Sequence, residues 1–328
     1  SQLLQGRAAG VQVVSSSTAP DAGVNIRIRG LSSFSGGSEP LYVIDGIIID
    51  GSSNSASLIS DMTTEESSGL LGINPQDIAH IEILKDASAT AIYGSLGANG
   101  VVLITTKSAN KDKPVIKTNF GVDIDNVYHQ MPMLSFDEYV TYLKDSGKSV
   151  SHIYDENENL LVKPMNWQDV TLRTAISQRY YISISGRPKT MNYWFSAGYN
   201  KKQGIVKNTA VDQLTMRLSI NKTLNSKLKI GARTNFSYLD SDMTSGANAS
   251  RSTAAASMIR SMLSYRPYIS LSADDYDPDE LEEETYVSNP TKWLNNYINN
   301  RRQLRITPNV YVEYKPLRWL SFNSTLGA

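Results

Sequence analysis

From Val115 onward, apolar and polar residues alternate with a period of two. Ile116, Thr118, Phe120, Val122 and Ile124 fall on one face of an extended segment, and Lys117, Asn119, Gly121 and Asp123 on the other. The alternation returns in Tyr193, Phe195, Ala197 and Tyr199, in Leu214, Met216, Leu218 and Ile220, and in Leu228, Ile230, Ala232, Thr234, Phe236 and Tyr238. Thr215, Arg217, Ser219 and Asn221 stand opposite the third set, and shorter examples run over 180–185, 304–314 and 320–326. The pattern predicts about seven strands of roughly eight to twelve residues, close to the length a tilted strand needs to cross a bilayer. Long links (125–178, 201–211 and 240–302) alternate with short ones (186–191, 222–226 and 315–318), so every long connection falls at one end, as in a transmembrane barrel. Pro308 inside a strand is tolerable at a bulge or at an edge.

The chain before Val115 has a different grammar. In 74–107, NPQDIAHIEILKDASATAIYGSLGANGVVLITTK, Asn74 can cap a short helix with Pro75 at its first position and Asp77 in its first turn. Ile81 and Ile83 alternate with His80, Glu82 and Leu84 in a strand predicted over 79–85. Asp86 is placed to cap a second helix, ASATAIY, which Gly94 ends by accepting positive φ; Gly97 and Gly100 give a turn, and VVLITT makes the return strand. GSLGANG lacks the Lys-Ser/Thr of a P-loop and the GxGxxG spacing of a dinucleotide site, so these glycines are structural.

This segment resembles the most characteristic part of the plug domain in SusC/RagA-type TonB-dependent outer-membrane transporters. LLQGRAAGVQV, VNIRIRG and PLYVIDG upstream match the same family in the same order. The expected fold is an α+β plug domain at 1–110, followed at 111–328 by antiparallel transmembrane β-barrel strands with long extracellular loops. A plug of about a hundred residues does not fit an eight-stranded barrel, whereas one of about twenty-two strands has a lumen that holds it. The seven strands are therefore expected to be roughly the first third of a larger barrel.

Composition narrows the function classes. The 328 residues are 40% hydrophobic and 20% charged, a folded composition, and their formal net charge of +0 with no extended Lys/Arg cluster leaves nucleic acid no basic face. No apolar run is long enough for a membrane-spanning helix, which does not bear on a barrel. Cysteine is absent, so disulfides and thiolate metal sites are excluded. SQLLQGRAAG lacks the basic start and apolar core of a secretion signal, which is expected to lie upstream or to have been removed.

Candidate residues each carry a functional and a structural reading. Arg27 and Arg29 share one face of a strand; the resemblance implies that plug arginines of this kind pair with carboxylates on the barrel wall, and a solvated strand face is the alternative. Asp45-Gly46 is first of all a turn signal. The Ser-rich segments 32–39, with Ser33, Phe34 and Glu39, and 50–69 read as apical plug loops facing a ligand, or as plain loop. Trp167 and Trp293, with tyrosines of the long links, suit sugar stacking or partner contact, and suit packing equally well. In DDYDPDELEEE, Asp275, Asp277 and Asp279 have the spacing that opens a calcium loop, but Glu280 replaces the needed glycine and Tyr286 the closing glutamate. His80, His129 and His152 have no metal-ligand or triad spacing, and neither metal nor cofactor is expected.

The resemblance implies active import of an oligosaccharide or peptide across a Gram-negative outer membrane, with TonB pulling on a segment upstream of this chain and a SusD-like surface lipoprotein as partner. A non-transporting surface binding or adhesion barrel predicts the same strands but has no need of a plug. An enzyme has the weakest footing, because no nucleophile with a base and no paired carboxylates stand in a recognisable frame.

Overall fold

The computed structural model describes residues 11–15, 20, 24–28, 40–49, 72–243, 258–271, 289–296 and 298–327. Its first part is a small α+β unit. The hairpin β1 (Val11–Ser15) and β2 (Val24–Ile28) stands beside a four-stranded sheet of β3 (Leu41–Ile44), β4 (Ile47–Ile49), β5 (Ile78–Leu84) and β6 (Val101–Thr106), in the order β4-β3-β6-β5. β3 lies parallel to β6, and β4 and β5 run antiparallel to their neighbours. Ile26, Ile28, Tyr42, Ile44, Ile73, Val102 and Ile104 form the core of this unit.

Local chemistry explains the connections. Asp45 (φ 50) and Gly46 (φ 89) make the tight β3–β4 turn. Asn74 accepts from the Gln76 N–H at 3.0 Å and caps a single 3-10 turn, Pro75–Asp77. The second predicted helix is shorter than its sequence suggests. Regular helix spans α1 (Ala87–Thr90), where Asp86 occupies the N-cap position without the side-chain capping bond to the first turn, and a 3-10 stretch follows through Gly97, broken at Gly94 by a φ of 58. Gly100 adopts positive φ, and a Cβ there would press on Ile28.

The second part is one seven-stranded antiparallel sheet. β7 (Val115–Asp125), β9 (Ala175–Gly186), β10 (Met191–Gln203), β11 (Ala210–Thr223), β12 (Leu228–Met243), β14 (Asn299–Leu317) and β15 (Leu320–Gly327) pair in chain order. These are the seven expected strands, most of them longer than the periodicity implied. The extension shortens one link expected to be long: Gln203 pairs with Ala210, which leaves only 204–209 between β10 and β11. Links 126–174 and 244–298 remain long, at the same end as 204–209. Pairing with β12 runs through Pro308 without a bulge, Thr234 standing opposite it.

The two faces of this sheet are inverted relative to a sheet in water. Ile116, Phe120, Ile182, Phe195, Met216, Leu218, Ile306, Val310 and Leu326 stand on the exposed face. The covered face carries Ser183, Ser185, Ser196, Thr215, Arg217, Ser219 and Ser237, and the plug lies against it. Apolar outside and polar inside is the arrangement of a barrel wall in lipid. Register places Phe120, Tyr180, Tyr199, Leu214, Tyr238 and Leu304 in one row across the outer face. On β14 that row lies ten residues from Tyr314, which pairs with Phe322. Ten residues rise about 33 Å, and a tilt of about 40° makes that about 25 Å of membrane thickness, the height of a barrel's apolar band.

Candidate functional site

Polar groups converge where the plug meets the wall. Asp77, whose backbone closes the 3-10 turn, is 3% exposed and directs its carboxylate at the wall. It accepts from the Tyr181 hydroxyl at 2.8 Å, the Trp194 indole N–H at 3.0 Å and the Ser196 hydroxyl at 2.7 Å. These donors lie on β9 and β10 and face inward, because the alternation sends Ile182, Phe195 and Ala197 outward. A buried carboxylate is tolerable only with such partners. Beside it, the Asn74 amide donates to Thr215 Oγ1 at 3.4 Å and lies over Gly198, where a Cβ would collide with it.

A second contact lies nearer the short-link end. The Asp45 carboxylate accepts from Thr106 of its own domain, at 2.9 Å from the backbone N–H and 2.5 Å from the hydroxyl. Arg217 and Arg233 of the wall approach the same Asp45 oxygen at 3.9 and 4.0 Å. Arg217 donates to the Lys107 carbonyl at 2.9 Å and to the Thr106 hydroxyl. Arg233 rests on the Tyr311 ring, 5.3 Å from its centroid. Asn192 brackets Ala109, accepting from its N–H at 3.3 Å and donating to its carbonyl at 3.0 Å. The carboxylates of these contacts belong to the plug and the arginines to the wall, the reverse of the arrangement expected for Arg27 and Arg29.

Of the predicted site residues, Trp167 alone has a described side chain. Arg27 pairs with Gln12 in the β1–β2 hairpin, and its side chain lies outside the description; Arg29, Ser33, Phe34, Glu39, the segment 50–69 and the acidic run 274–284 lie outside the described residues. Trp167 begins α3 (Trp167–Thr171) and is 4% exposed, its indole N–H donating to the Arg266 carbonyl at 2.7 Å and its ring edge-on to Tyr265. It lines a cavity of about 760 Å3 at the long-link end, with Met131, Phe136, Tyr139 and Arg266. Trp293 lies on a helix at Pro290–Asn296, and its side chain is not described. Between plug and wall, a pocket of about 660 Å3 is lined by Gln76, Asp123, Arg179, Asn200, Lys202 and Gln213.

Sequence reasoning passed over Asp45, Asp77, Arg217 and Arg233 as contact residues. A signal was present at Arg217, a charge on the strand face opposite Leu214, Met216, Leu218 and Ile220.

Comparison with known proteins agrees with this architecture. The TonB-dependent Receptor Plug Domain family matches residues 1–101. TonB-dependent receptor P26 of Formosa agariphila is 40% identical over 243 residues, 73% of this chain and 23% of that protein. TonB-dependent receptor SusC of Bacteroides thetaiotaomicron is 38% identical over 221 residues, 66% of this chain and 20% of that protein. The chain thus spans about a quarter or less of the length of these two relatives. The RagAB peptide importer in its open-open state superimposes with a TM-score of 0.75 at 23% identity, over 99% of this chain and 38% of that one, a likeness of fold. By its plug, its wall and these relatives, the chain belongs to the TonB-dependent receptors of the SusC/RagA type.

Proposed function

We propose that the full-length protein imports a nutrient, an oligosaccharide or a peptide, across the Gram-negative outer membrane, driven by TonB and assisted by a SusD-like surface lipoprotein. In this reading residues 1–110 are the plug and 111–328 the first part of the barrel, with the long links facing outward and lipid against the apolar face. The observation that carries it is the seat of Asp77: a plug carboxylate held by three hydrogen bonds from the wall. A stopper fixed to its wall by apolar burial would resist every displacement. One fixed by hydrogen bonds can exchange them for bonds to water, each bond to the carboxylate being worth about 1.5–3 kcal/mol net, and so can move under force. The 660 Å3 pocket of amides, carboxylates and basic groups on the long-link side of Asn74 offers a first polar surface to an arriving solute. A binding or adhesion barrel gives no account of this plug.

The test is uptake by cells expressing the full-length gene, offered labelled oligosaccharide and peptide libraries. Uptake that stops when TonB is deleted, and falls when the SusD-like lipoprotein is deleted, is the expected result. Uptake that continues without TonB would overturn the proposal.

A further inference from the structure

Among the described residues around Asp45, positive charge exceeds negative. A cleft of about 400 Å3 opens between the β3–β4 turn and the wall, lined by Asp45, Lys107, Arg217, Ser219, Asn221 and Arg233. Two carboxylates act here: Asp45 within 4.0 Å of both guanidiniums, and Asp77, whose charge also reaches Arg217. Among the described residues three cations, Lys107, Arg217 and Arg233, oppose them, so the formal sum there is three minus two, or +1.

The hydrogen bonding is also incomplete. Asp45 draws its bonds from Thr106, and at 3.9 and 4.0 Å neither guanidinium donates to it. The Arg217 side chain is 4% exposed, and its Nε is buried with no partner among the described residues. Arg233 makes its Tyr311 ring contact and no hydrogen bond to a described residue. A buried charge without a matching counter-charge is costly, and paired guanidiniums are fitted to oxyanions by their fork geometry.

We propose that this cleft is a binding site for one oxyanion, a carboxylate, sulfate or phosphate group, which bridges Arg217 and Arg233 and competes with Asp45 for them. The anion completes the charge balance and takes the donors that Asp45 leaves unused. By drawing the arginines from Asp45, it loosens the β3–β4 turn from the wall. The group arrives either as a free ion or as part of an anionic cargo. The inference does not depend on the import reading, because it concerns binding alone.

Titration calorimetry of the purified full-length protein with inorganic sulfate tests it, with glucuronic acid as a competitor. Saturable sulfate binding is expected. Arg233→Gln should weaken it about tenfold, the loss of one charge-assisted bond, and Arg302→Gln, on the outer face beside Asp240, should leave it unchanged. Asp45→Asn keeps a residue that tolerates φ 50 and removes the competing charge, so it should tighten sulfate binding. A variant that merely misfolds cannot do that. Displacement by glucuronic acid supports an anionic cargo as the source, and binding of sulfate alone supports a free ion. Absence of sulfate binding, or binding that neither Arg233→Gln nor Asp45→Asn alters, overturns the site.

Discussion

At the scale of single residues, Asp77 shows what sequence can and cannot disclose. Its place in the first turn of a capped segment is local chemistry and can be read from NPQD. Its use as the plug's anchor depends on donors 104, 117 and 119 residues away, which carry no mark of the partnership. Asp45 is similar: the Asp-Gly turn is legible, and its arginines are not. Replacing Asp77 by Asn puts an amide N–H against the wall's donors. This should cost about 2 kcal/mol of plug seating through a buried unsatisfied group, seen as faster amide exchange over 106–109 in the full-length protein. Gly198→Ala should have a similar effect, because its Cβ takes the space of the Asn74 amide and comes within 2.9 Å of the Thr215 hydroxyl.

At the scale of elements, period-two alternation located all seven wall strands, because a face turned to lipid must be apolar at every second position. It underestimated their lengths: beyond the membrane, strands such as β14 continue through Asn299 to Arg302, where no apolar pressure marks them. Helices of the long links went unread although one is clearly signed. In α2 (Phe136–Asp145), Ser135 accepts from the Glu138 N–H while the Glu138 carboxylate accepts from the Ser135 N–H, a capping box. β8 (Val162–Pro164) pairs with β13 (Tyr268–Ser270) across a separation that no local pattern reveals. The capping bonds from Ser135 hold the Glu138 carboxyl below its ordinary value of 4.5. A lowered folded value means the contribution to helix stability is complete above pH 4.5 and is lost as the pH falls through the folded value. Amide exchange over 136–145 should therefore quicken relative to the intrinsic rate as the pH is lowered below 4.5, and Glu138→Gln should flatten that dependence.

At the scale of the whole molecule, the inverted sheet and the domain packed on its polar face are one design. The wall turns apolar residues outward because its solvent there is lipid, which frees its inner face to hold the plug by hydrogen bonds and charge. Depth should then govern substitutions on the outer face. Leu218→Arg, midway along β11, should cost about 2–4 kcal/mol of folding into bilayers, and Leu304→Arg, in the row near one boundary, about 0–1; equal costs would mean the apolar face does not meet lipid. The central claim, that the plug seated on Asp77 moves when TonB acts, is tested most directly at Ser196, which is 1% exposed beneath that carboxylate in a chain without cysteine. With Ser196→Cys in an otherwise cysteine-free full-length protein, a small membrane-impermeant thiol reagent should label energised cells containing TonB and leave TonB-deleted cells unlabelled. Equal labelling in both would contradict the account.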